Sequence, residues 1–300
     1  MNKYEIDEIL NMAIMTKTAH VLVEGIDDVS IYEDLSPEDC EVYAIETIEG
    51  YTGGCGAVIE AIEFLNNIDA QGILRKYVVG IIDRDAEVFI SGEKQMPGLF
   101  TLNQYSIESH FVNNEILKKI ILQVTNISEK QVQPSINAID CIDNIDDIYY
   151  FSLEALNGAT NSSYASIVGY SSKIGRRKDP STMQQIRSKT DLLNSVANRF
   201  GLSRELSSLK LLVKGKWLLL CFSEGLEKLI RSLPEKCKSA EIIQCKVCQF
   251  KNTSSCLFKI KDGISNQSIY SLALNIKENH ELEYIKSMLH RISQSAKADI

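Results

Sequence analysis

Four carboxylates stand out by their position in the chain. Glu24 follows the apolar run Ala19-His20-Val21-Leu22-Val23, and Asp28 comes four residues later. Asp83 and Asp85 close a second apolar run as Ile81-Ile82-Asp83-Arg84-Asp85. Hard oxygen donors gathered at one place repel one another unless a cation lies among them, and carboxylates with room for water suit Mg²⁺ or Mn²⁺ better than zinc. The i, i+2 spacing of an extended chain puts Asp83 and Asp85 on one face. A helix starting near Asp27 puts Asp28 in its first turn, facing the same crevice as Glu24. Such a centre suits phosphodiester hydrolysis or phosphoryl transfer, where paired cations stabilise the attacking and leaving oxygens and no side-chain nucleophile is needed.

The elements that must position these groups alternate. Ala19 to Gly25 reads as a buried strand stopped by glycine, and Asp27 to Leu35 as a helix with Asp27 near its N-cap. Glu41 to Thr47 is strand-like, and the helical periodicity of Ala57 to Asn66 follows the loop Gly50-Tyr51-Thr52-Gly53-Gly54-Cys55-Gly56. Lys76 to Asp83 is the strongest strand signal. Leu99 to Leu102 is a fourth strand, followed by a helix over about Glu108 to Leu122. Alternation of this kind predicts an α/β fold with a parallel, doubly wound sheet flanked by helices, whose ligands sit outside the carboxyl ends of the strands. Beyond about residue 125 the pattern is mainly helical, with candidates near 147–157, 182–200, 203–209, 217–232 and 277–295. The expected organisation is a metal-binding core over 1–125, a helical region over 126–235 and a cysteine-rich knuckle with a last helix over 236–300.

Charge is divided along the chain. Residues 1–150 hold 9 Lys and Arg against 27 Asp and Glu, whereas residues 151–300 hold 23 against 13. Residues 173–216 carry 11 basic and 3 acidic side chains, with Lys173, Arg176, Arg177 and Lys178 packed together and Lys214 near the end of the segment. An acidic region beside a basic one fits a metal-dependent enzyme acting on a polyanion, with the basic run as its nucleic-acid surface. A solvated basic loop is the competing interpretation.

Cys237, Cys245, Cys248 and Cys256 lie within twenty residues, with one Cys-x-x-Cys among them. Four thiolates there would close a tetrahedral, structural zinc site. Three cysteines with His280 or His290, or reduced thiols without metal, are the competing readings. Other chemistry has little support. The glycine loop at 50–56 lacks the lysine and hydroxyl of a P-loop, and no Gly-x-Ser-x-Gly context surrounds a serine. No run approaches the roughly 18 apolar residues of a membrane span, and the start lacks a signal peptide's features, so a cytoplasmic protein without membrane contact is expected.

Val21 to Gly25, the Glu-x-x-x-Asp of Glu24 and Asp28, and the strand-Asp-x-Asp of Asp83 and Asp85 together resemble the toprim domain of topoisomerases, primases and OLD-family nucleases. Leu22-Val23-Glu24-Gly25-Ile26-Asp27-Asp28, Gly80 to Asp85 and Tyr105-Ser106-Ile107-Glu108-Ser109 in succession are similar to a narrower group of OLD-like toprim proteins. That group includes the toprim effector subunits of the PARIS anti-phage system. The resemblance covers mainly residues 19–112, with an echo in Val213-Lys214-Gly215-Lys216-Trp217. It implies that Asp83 and Asp85 hold one Mg²⁺, that Glu24 and Asp28 bind a second, and that Glu108 completes that site. Lys216, or failing it Lys214, would be the cation beside the scissile phosphate. It further implies a toxic endonuclease restrained by an ABC-type ATPase subunit, released through a phage trigger protein acting on that ATPase, active as a homodimer and cutting host tRNA. An OLD-like DNA nuclease and a non-catalytic regulatory module are the alternatives. One departure weakens the transfer of substrate preference: OLD nucleases tend to have serine where this chain has Ile81.

Overall fold

The computed structural model describes residues 3–69, 72, 74–132, 136–250 and 255–298. In chain order its α-helices and strands are α1 (Ile6–Thr16), β1 (Ala19–Val23), α2 (Ile26–Leu35), β2 (Cys40–Ala44), α3 (Cys55–Ile68), β3 (Val78–Ile82), α4 (Glu87–Ser91), β4 (Leu99–Thr101), α5 (Asn114–Val124), α6 (Ile145–Thr160), α7 (Pro180–Arg187), α8 (Thr190–Phe200), α9 (Leu206–Leu212), α10 (Gly215–Lys238), α11 (Lys246–Gln249), α12 (Asn266–Leu274) and α13 (Glu283–Lys297). Contacts divide the chain into two compact units, one of residues 1–103 with 280–300 and one of residues 104–279.

The first unit holds the sheet. Its four strands are all parallel, in the order β2-β1-β3-β4, with Val23 opposite Ala44, His20 opposite Val78 and Ile82 opposite Thr101. Every residue of β1 and of β3 is buried, as expected for central strands covered on both faces. Gly80 has a packing reason. A β-carbon there would lie 2.7 Å from Val58 Cγ1 and 2.9 Å from Ile62 Cγ1, so glycine lets α3 sit tight on β3. The unit borders cut across the expected segments because α13 belongs here: Ser293 Oγ donates to Asp39 Oδ2 at 2.9 Å, and Lys297 pairs with the same carboxylate.

The second unit is helical. Its long helix α10 packs on α12 and on the short 3-10 turns Ile107–Phe111 and Ala138–Cys141, while α6 packs on α7, α8 and α9. Phe151 of α6 meets Trp217 of α10 edge-on at 5.2 Å, and Tyr170 stacks on the same indole at 5.8 Å. The expected helix over 108–122 is instead the turn Ile107–Phe111 followed by α5, because the Asn113 carboxamide accepts the N–H groups of Glu115 and Ile116 and starts the helix there. The expected helix over 182–200 is two. α7 begins at Pro180 behind the Asp179 cap, and the chain breaks before Thr190, where Lys189 turns to Glu154 at 3.0 Å. α1 and α12 were not foreseen, and α13 begins at Glu283 rather than near 277. Among the described residues no helix is long and apolar enough to cross a membrane.

Candidate metal centre and basic surface

The strand order places a topological switch point between β1 and β3, from which connections run to opposite sides, and ligands of open α/β sheets bind at the carboxyl ends of such a pair. Glu24 directly follows β1, and Asp83 directly follows β3. Glu24 Oε1 accepts the backbone N–H of Asp83 at 2.7 Å, so the carboxylate bridges the two strand ends. Gly54, at φ 106° and at the N-cap of α3, donates its N–H to the Glu24 carbonyl at 2.8 Å, and the Cys55 N–H turns to the Glu24 carboxylate. The glycine loop therefore braces the site and turns the N-terminus of α3 to the Glu24 carboxylate.

Asp83 and Asp85 are not related as expected. β3 ends at Ile82, and Asp85 adopts a left-handed backbone at φ 47°, so no extended strand carries the pair. A turn does so instead, in a conformation that aspartate tolerates better than most residues. α2 begins one residue early, capped by Gly25 rather than Asp27, which leaves Asp28 in the first turn as expected and Asp27 exposed.

Negative charge is crowded here. Burial, followed by the charges of Asp85 and Asp28, pushes the Glu24 carboxyl up to about 7 against the opposing N–H groups of Asp83 and Cys55. Tyr32, 3% exposed, is driven well above its ordinary value by burial and then by Asp83 and Asp28. The Cys55 thiol is pushed up to about 12 by burial and by Glu24, Asp85 and Asp83. An all-oxygen donor set with this excess of negative charge fits a hard divalent cation. The carboxylates are not closed on a point, however. Among the described residues, only the four cysteines bring three or more ligand atoms within 4.8 Å of one another. Sequence reasoning missed Tyr32, Tyr284 and Glu46. Tyr32 follows Asp28 by one helical turn, a spacing that would have found it, whereas the Ile26 N–H bonded to Glu46 Oε1 at 3.0 Å links residues twenty apart with no local signal.

Glu108 and Lys216 belong to the second unit. Glu108 is buried, accepts the Ser106 hydroxyl at 2.5 Å, and lies 4.0 Å from the Lys216 ammonium, whose side chain is 54% exposed. Gly215 permits this contact, since a β-carbon there would sit 3.0 Å from Glu108 Oε2 and collide with Ser106 Oγ. Lys214 Nζ donates to the Tyr170 carbonyl at 3.3 Å.

The basic run does not act as one surface. Lys173 and Arg176 are exposed, but Arg177 is 3% exposed, donating to the Asp143 carbonyl at 3.1 Å and facing Glu224 at 3.5 Å. Lys178 is tied to Glu224 at 2.6 Å. The expected role of Arg177 in nucleic-acid binding is thus corrected: a buried guanidinium must be paired, and the acids that pair it occupy the place of a phosphate.

All four clustered cysteines are buried and unbridged, with Cys245 Sγ 4.0 Å from Cys256 Sγ. The Cys245 N–H points to Cys237 Sγ at 3.3 Å and the Cys248 N–H to Cys245 Sγ at 3.5 Å. Burial opposes the charging of Cys245, but N–H groups of Leu257 and Cys248 outweigh it and bring that thiol down to about 7. The quartet is gathered at metal-binding distance by cysteines alone, without His280 or His290. No protein-family model and no curated protein matches the chain.

Proposed function

We propose that the chain is a magnesium-dependent toprim endonuclease, the toxic effector of an anti-phage system, which an ABC-type ATPase subunit holds silent and which cuts host tRNA once a phage trigger protein has acted on that ATPase. The observation that carries this reading is the meeting of Glu24, Asp28, Asp83 and Asp85 at the carboxyl ends of β1 and β3, on either side of the switch point. Magnesium bound by these carboxylates would polarise the phosphodiester and activate water, so that no side-chain nucleophile is needed. Glu24 is held by the Asp83 and Cys55 N–H groups and Asp85 sits in a left-handed turn, and the cation would close the remaining carboxylates on itself. The same reading gives Lys216 the part of the cation that offsets charge developing on the phosphate, active in a homodimer. The cysteine quartet would hold a structural zinc, since four thiolates leave no open coordination position.

The test is expression of wild-type and Glu24→Ala chains with and without the neighbouring ATPase, followed by sequencing of total RNA and inspection of genomic DNA. Discrete RNA ends lost in Glu24→Ala support the reading. DNA breaks favour an OLD-like DNA nuclease. Intact RNA and DNA after triggering would leave a regulatory module, a role compatible with a Glu24 already engaged by backbone N–H groups.

A further inference from the structure

The cysteine knuckle places an aromatic ring in solvent. Phe250 is 83% exposed and Ile243 60%, on either side of the Cys245-Lys246-Val247-Cys248 turn. The Phe250 N–H points to the Lys246 carbonyl at 3.4 Å, so ring and ammonium lie one helical turn apart on one face. Between residues 236 and 261 the chain has six lysines and a single acid, Glu241. Lys238 is bridged to Glu235 at 2.7 Å and Lys261 donates to the Gln123 carbonyl at 2.6 Å. Lys236, Lys246 and Lys259 have no acidic partner among the described residues. Beneath them Cys237, Cys245, Cys248 and Cys256 are all buried, with their sulfur atoms within 4.8 Å of one another.

An exposed ring on a cationic support matches what unpaired nucleotides offer, namely a base face for stacking and a phosphate on each side. A duplex offers no open base to such a ring. We propose that the knuckle is a contact for single-stranded nucleic acid, in which Phe250 stacks on an unpaired base and Lys246 meets the adjacent phosphate, with Lys236 and Lys259 extending the track. The inference deepens the nuclease reading and rests on it only for the choice of nucleic acid as partner.

The experiment uses full-length protein carrying Glu24→Ala, so that the probe survives, and fluorescence anisotropy with a short fluorescein-labelled oligouridine and with an RNA duplex of equal length. The single strand is expected to bind more tightly. Phe250→Ala weakens it about tenfold, Phe250→Trp retains it, and Lys246→Glu weakens it while flattening its salt dependence. Phe250→Ala leaves the melting temperature and zinc content unchanged, since the ring is exposed. Unaltered binding in Phe250→Ala, no measurable binding, or equal affinity for the duplex overturns the proposal. Competition by polyglutamate with no effect of Phe250 also overturns it, in favour of an acidic protein partner. Cleavage by the wild type with an unchanged KM in Phe250→Ala would sink the knuckle and spare the nuclease, whereas Phe250-dependent binding of the single strand with no cleavage by the wild type would sink the nuclease and spare the knuckle.

Discussion

Glu24 does two things that a mutation can separate. Its carboxyl is raised from 4.5 to about 7, so the folded protein holds this proton more tightly than the unfolded chain does. Its contribution to stability is therefore complete below pH 4.5 and is lost as pH rises through about 7. In metal-free protein, Glu24→Gln should remove that slope and gain up to about 3 kcal/mol at pH 8 in urea unfolding, from about 1.4 kcal/mol per unit. Magnesium should raise the melting temperature of the wild type and not of Glu24→Gln. A stability–pH profile unchanged by the substitution would refute the assignment of Glu24 as the charge-strained member. Arg177 is the counterpart on the basic side. Arg177→Met leaves Glu224 with Lys178 and Asp143 with Lys228 but removes the buried charged donor to the Asp143 carbonyl and should cost about 1.5–3 kcal/mol, whereas Lys173→Ala and Arg176→Ala should leave thermal unfolding unchanged. Glu24, Asp83 and Asp85 were legible because they close apolar runs, and Asp28 because it falls in the first turn of the helix that follows. Burial of Arg177 was not, since its acids come from residues 34 and 47 positions away and leave no local pattern.

At the scale of elements, the sheet rests on close approaches that glycine permits. Gly80→Ala puts a methyl into Val58 and Ile62 and should destabilise the first unit by about 1–3 kcal/mol, measured by chemical denaturation. Cys245→Ser with Cys248→Ser should abolish zinc binding by native mass spectrometry and lower the melting temperature, and zinc-free wild-type protein of native stability would remove the metal from the account. The strands were legible to within two or three residues, β1 and β3 because buried parallel strands are continuous apolar runs, while the strand read over Glu41 to Thr47 ends at Ala44 and gives way to a 3-10 turn. Helix boundaries were less so. The start of α5 depends on the Asn113 side chain and the α7–α8 break coincides with the turn of Lys189 to Glu154, neither of which periodicity records. The Cys-x-x-Cys gave away the knuckle, while the turn that joins Asp83 to Asp85 needed a backbone conformation that spacing cannot express.

At the scale of the molecule, charge follows the units. The first carries 9 Lys and Arg against 23 Asp and Glu, and the second 23 against 17. The division is softer between the units than between the sequence halves, because residues 104–150, with 3 Lys and Arg against 7 Asp and Glu, fall in the second unit. Truncation at Asn279 removes the helix that holds Asp39 through Ser293 and Lys297 and gives Asn103 the Tyr284 phenol at 3.2 Å. The truncated protein should show early melting of the sheet-bearing unit and no magnesium-dependent stabilisation, and full retention of both would show α13 to be dispensable. That same helix sets an order of events during synthesis. The bond from Ser293 to Asp39 spans 254 residues, and at about 5–20 residues per second the ribosome needs roughly 13–50 s to supply its second half. The carboxylate-bearing unit is thus completed only after the whole of the second unit has been made.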